Sequence, residues 1–70
     1  MNVLKKDYIQ AKDGLKIPIT LSMEEIEDEE VYIINIDGVE WLVTCNKLHA
    51  IILFNMMKEH ITEYMTYQKL

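Results

Sequence analysis

Asp37-Gly38 stands between two apolar runs, residues 31–36 and 39–44. The dipeptide suits a two-residue type I′ turn, because both central positions of that turn need positive φ. A hairpin closing there constrains the fold more than any other feature of the chain. Its register predicts Ile36 opposite Val39, Ile34 opposite Trp41 and Tyr32 opposite Val43, which makes one face wholly apolar with Trp41 as its largest core residue. The other face then carries Val31, Ile33 and Leu42 beside Asn35, Glu40 and Thr44, a mixed surface that is only partly covered.

Upstream, Leu15, Ile17, Ile19, Leu21 and Met23 are apolar at every second position, the period of a half-buried strand. Before them lies Tyr8-Ile9-Gln10-Ala11, joined through Lys12-Asp13-Gly14. A two-residue loop opposes Leu15 with Lys12 and Ile17 with Gln10. A three-residue loop with Gly14 in the left-handed region opposes Leu15 with Ala11 and Ile17 with Ile9, and is the better match. Pro18 has no N–H for a ladder, so this strand is expected at a sheet edge.

From Asn46 the period changes. Asn46 can cap a helix, and neither Gly nor Pro occurs between it and Leu70. A helix over about 47–66 would run roughly 30 Å. At 100° per residue Ala50, Leu53, Phe54, Met57, Ile61, Tyr64 and Met65 form a stripe for the sheet, while Asn55, Lys58, Glu59, Thr62, Glu63 and Thr66 form a solvated side. Leu48, Ile51, Ile52 and Met56 break the pattern, since they fall on that solvated side. Four such side chains left in water forgo roughly 1.5–3 kcal/mol each, so self-association through them is expected, with Ile52 near the centre of a homodimer. A foreign partner on the same patch, or the Val3-Leu4 segment folded back over it, are the competing readings.

The expected architecture is therefore α+β: one domain with a four-stranded antiparallel sheet of two hairpins and one long C-terminal helix packed on one face. At 70 residues such a chain buries only about 60% of the surface it exposes unfolded, which leaves little room for a deep substrate pocket.

Charge is the second informative feature. Glu24, Glu25, Glu27, Asp28, Glu29 and Glu30 place six acids in seven positions, within a net charge of −5. Of the 12 acids, six lie elsewhere and face seven bases, so the body is nearly neutral and one segment carries the acidity. The segment reads as a loop or a short helical turn around Ile26. It lacks the D-x-D-x-D-G pattern of a calcium loop. Three readings remain for it: a hydrated loop, a docking surface for a basic partner, or a mimic of the phosphate backbone. All seven bases are Lys; without Arg there is no bidentate fork for phosphate or guanine, which argues against direct nucleic-acid binding.

Candidate chemistry is sparse. Cys45 and His49 have a C-x-x-x-H spacing that brings two ligands to one metal, but a closed zinc site takes four, and His60 is about 16 Å further along the helix. Cys45 beside a helix start and His49 has the makings of a nucleophile, yet no Gly-rich turn accompanies it to hold an oxyanion. The commoner roles are a small buried thiol and a surface imidazole. Glu59, His60, Glu63 and Tyr64 fall within one turn and read as an ordinary polar helix flank. No metal, cofactor or catalytic residue is expected. A single Cys and the absence of an apolar run long enough for a signal peptide or a membrane span point to the cytoplasm and to no membrane partner. Ten Ile, seven Lys and no Arg fit translation from an AT-rich genome, such as that of a low-GC bacterium or its phage, so the expected host is bacterial.

An acidic segment, the hairpin VYIINIDGVEWLV and the amphipathic helix NKLHAIILFNMMKEHI follow one another over roughly residues 24–65. In layout this resembles the small acidic anti-CRISPR proteins that phages carry to block bacterial defence nucleases. The resemblance carries over no motif residue. It implies a non-catalytic module that binds a host protein, basic or itself nucleic-acid-binding, and blocks it. The alternatives are a homodimeric structural or accessory protein without inhibitory role, and a small thiol-dependent enzyme.

Overall fold

The structure, a computed structural model, describes the backbone of residues 2–10 and 14–68 and the side chains of 2–10 and 14–59. Four strands, β1 (Asn2–Gln10), β2 (Lys16–Ile26), β3 (Glu29–Ile36) and β4 (Val39–Thr44), are followed by one helix, α1 (Lys47–Gln68). The strands form one antiparallel sheet in the order β1-β2-β3-β4, and the helix packs on it, giving the expected α+β architecture.

The hairpin turns decide which residues meet. Ile9 stands opposite Ile17, and Gly14 adopts φ 83, as the longer β1–β2 loop requires. The expected pairing of Leu15 with Ala11 lies outside the described residues. Asp37 and Gly38 take φ 53 and 78, both left-handed as the β3–β4 turn demands, and Ile36 stands opposite Val39.

Past that first pair the register departs from expectation. Asn35 pairs with Glu40 but Ile34 pairs with Leu42, so Trp41 is the extra residue of a β-bulge. Every later residue of β4 changes face: Leu42 packs against the core beside Ile34, Val43 stands opposite Ile33, and Thr44 rather than Val43 faces Tyr32. Trp41 is therefore not the centre of the core and remains 37% exposed. The helix reaches the sheet through fully buried Ala50, a residue with only a methyl side chain. Leu42, rather than the indole, fills the place beside Ile34 against the core.

Pro18 is likewise not at an edge, since β2 pairs with both β1 and β3. Its carbonyl accepts a hydrogen bond from the Asp37 N–H at 2.9 Å. In an antiparallel strand the N and O of one residue point to the same side. The missing N–H therefore faces the β3–β4 turn, one step beyond the Ile19–Ile36 pair that ends the β2–β3 ladder, where it breaks no rung.

The core lies between helix and sheet. Ile9, Ile19, Leu21, Tyr32, Ile34 and Ile36 meet Ala50 and Phe54, with Ile17, Met23, Leu42, Leu53 and Met57 around them. The helix starts where β4 ends, capped by Asn46, whose Oδ1 accepts from the His49 N–H at 3.0 Å. It crosses toward β1: Lys5 Nζ lies 5.9 Å from the centre of the Phe54 ring, and Lys58 Nζ is 3.2 Å from Asp7 Oδ2. The stripe positions Ile61, Tyr64 and Met65, like Thr62, Glu63 and Thr66 opposite them, lie outside the described side chains. Val3 and Leu4 belong to β1, where Val3 pairs with Ser22 and Leu4 forms a second bulge, so they do not fold over the helix.

Candidate functional site

The acidic segment is a β-hairpin, not a loop or a helical turn. Glu24 pairs with Val31, Glu25 with Glu30 and Ile26 with Glu29, leaving only Glu27 and Asp28 as the turn. Both turn residues have positive φ, 50 and 66. The reason is the length of β2 and β3. Met23 facing Tyr32 and Leu21 facing Ile34 continue inward, pair by pair, until two residues remain.

The flanking strands stop short of this turn. Among the described residues β1 reaches no further than Asn2, opposite Met23, and β4 no further than Thr44, opposite Tyr32. Among the described residues, 24–31 therefore project as a two-stranded tongue, and all six acids of the run stand on it. Glu24 is half-buried at its base; Glu25, Glu27, Asp28, Glu29 and Glu30 are exposed. Alternation puts Glu25 and Glu30 on the helix side of the sheet and Glu24 and Glu29 on the other.

Two contacts tie the tongue to the body. The Tyr32 hydroxyl donates to Glu30 Oε2 at 2.7 Å, which raises the phenol pKa above its ordinary value because ionising the ring would lose that bond and face a carboxylate. Cys45 Sγ lies 3.9 Å from Glu29 Oε2, the arrangement of a thiol donating to a carboxylate. Cys45 is exposed, contrary to the buried thiol expected of a packing residue, because it follows the last rung of β4 and is held in the two-residue link to the helix. Among the described residues no three His, Cys, Asp or Glu side chains gather into a metal site. Glu59 is exposed, while the side chains of His60, Glu63 and Tyr64 lie outside the described set.

The helix presents the second feature. Leu48, Ile52 and Met56, at i, i+4 and i+8, are 68%, 49% and 53% exposed. Ile51, grouped with them on the sequence, is half-buried and packs against the core. Because only Cys45 and Asn46 separate β4 from α1, this stripe begins at the same end of the sheet as the tongue, and the Glu29–Cys45 contact joins the two. Carboxylates and an apolar strip thus share one end of the molecule. Among the described residues no helix is long and apolar enough to cross a membrane.

No family model, no curated protein and no solved structure matches the chain.

Proposed function

We propose that the protein is a non-catalytic binding module whose acidic tongue docks against a basic surface of a protein partner and blocks it. The supporting observation is the placement of all six clustered acids on a two-stranded ribbon that extends past its neighbours. A hydrated loop would let such charges move apart. Here cross-strand pairing holds Glu25 against Glu30, so the negative field is fixed in position and aimed outward, which is the arrangement that steers an oppositely charged partner. The exposed strip of Leu48, Ile52 and Met56 supplies the apolar contact beside it, so that a partner with a basic rim and an apolar centre fits both. In this reading the strip serves a foreign partner. Blocking a host protein agrees with the layout resemblance to small acidic anti-CRISPR proteins.

The test is competitive capture from a low-GC bacterial lysate with the wild-type protein and a variant in which Glu25, Glu27, Asp28, Glu29 and Glu30 are replaced by Gln or Asn. The proposal requires a basic protein retained by the first and lost by the second, and released from the first by salt. Turnover of a substrate that depends on the Cys45 thiol would replace this reading with an enzymatic one.

A further inference from the structure

The helix covers one face of the sheet, and the pairing register defines what the other face carries. One row across the four strands is Val3, Ser22, Ile33 and Val43. The next is Lys6, Thr20, Asn35 and Glu40. Lys6 is held to this side by Tyr8, two residues on, whose ring centre lies 6.0 Å from its Nζ. Ser22 and Ile33 in the middle are already buried, Ile33 to 5% exposure, although no helix lies over them, while Val3 and Val43 at the rims stay exposed. The face thus has a buried centre of Ser22 and Ile33 between apolar rims, a polar row with a cation at the β1 edge and an anion at the β4 edge, and Glu24 and Glu29 toward the tongue.

We propose that this face pairs with the same face of a second copy, the two sheets stacked about 10 Å apart around a two-fold axis parallel to the strands. The Lys6–Glu40 row favours this arrangement. Rotation about an axis along the strands exchanges β1 with β4, so Lys6 of each copy meets Glu40 of the other and Val3 meets Val43. Rotation about an axis along the polar row sets Lys6 against Lys6 and Glu40 against Glu40, which like-charge repulsion opposes. The chosen axis also sends both tongues to the same end of the dimer and leaves both helices outward, so two acidic docking ends stand side by side. Glu24 and Glu29 of each copy lie on this face at that end, and their mutual repulsion opposes the pairing but is screened over a Debye length of about 8 Å at physiological ionic strength, where the pairing is to be measured.

The experiment is sedimentation equilibrium of the full chain with Lys6→Glu, Glu40→Lys and the double exchange. Both substituted positions are exposed edge sites, so folding is preserved, as circular dichroism checks. The wild type is expected to be a dimer at high micromolar concentration, each single variant to weaken it about tenfold or more, and the double exchange to return it to near the wild-type value. A monomeric wild type, or a double exchange no tighter than the single variants, overturns the proposal. So does a dimer that Ile52→Glu dissociates and Lys6→Glu does not, because that result puts the interface on the helix. None of these outcomes depends on tongue docking, which the capture experiment reads separately.

Discussion

Glu25 stands directly opposite Glu30 across the tongue, and the turn between their strands holds Glu27 and Asp28 in the left-handed region. Each feature works against folding. Like charges in cross-strand register repel, and a residue with a Cβ gives up about 1–2 kcal/mol to adopt the left-handed conformation. A two-stranded ribbon has little else to hold it. The acids of the tongue therefore stand there at a cost to stability.

Relieving that turn is the first prediction. Replacing Glu27 with Asn and Asp28 with Gly fits the type I′ preference and removes two like charges, so stability should rise by about 1 kcal/mol. Urea unfolding should show a higher midpoint at unchanged slope. An unchanged or lower midpoint would mean that the chain does not turn at these two residues.

The second prediction separates the two registers of β3 and β4. Ile34 is fully buried and faces Leu42, so Ile34→Ala should cost about 2–5 kcal/mol. Trp41→Ala, at a partly exposed bulge, should cost no more than about 2 kcal/mol. Thermal melts of both variants decide the matter: a Trp41 variant less stable than the Ile34 variant would restore the unbulged pairing.

Much of this fold is legible in the residues, and the exceptions share a cause. The Asp37-Gly38 turn, the pairing of Ile9 with Ile17 and the helix from Asn46 onward each follow from local chemistry, namely positive φ, loop length and capping. Trp41 does not, because a bulge leaves no mark in the residues of β4, whose alternation reads equally well with either face inward. β1 extends back to Asn2 for a similar reason: only the bulge at Leu4 brings Val3 and Lys5 to opposite faces, and the stretch has no period of two without it. The tongue was hidden by its composition. Glu-Asp is a poor turn signal, and adjacent acids suggest a hydrated loop, yet counting inward from Leu21–Ile34 and Met23–Tyr32 would have found the two-residue turn. The docking role proposed for those acids has no local signature at all.

The third prediction concerns pH at both extremes. The Asp7 carboxylate accepts from the Tyr8 N–H at 2.8 Å and from Lys58 Nζ, which together hold its pKa below the usual 3.8. Its contribution is complete above about pH 4 and is lost as pH falls through the depressed folded value. Tyr32 behaves oppositely: with its pKa raised above 10.0, its contribution is complete below that pH and is lost as pH rises through the folded value. Spectrophotometric titration of the phenols should therefore find one tyrosine ionising late, and Glu30→Ala should move it back toward pH 10. Identical titrations of wild type and variant would show that the Tyr32–Glu30 bond does not form.

The central claim is that the tongue docks a basic protein, and its most direct measurement is the salt dependence of affinity for the captured partner, compared between the wild type and the tongue-neutralised variant. Fixed carboxylates meeting a basic surface predict a wild-type affinity that falls steeply with added salt, and a variant that binds more weakly at low salt with a much flatter dependence. Equal affinities and equal salt slopes for the two proteins would contradict it.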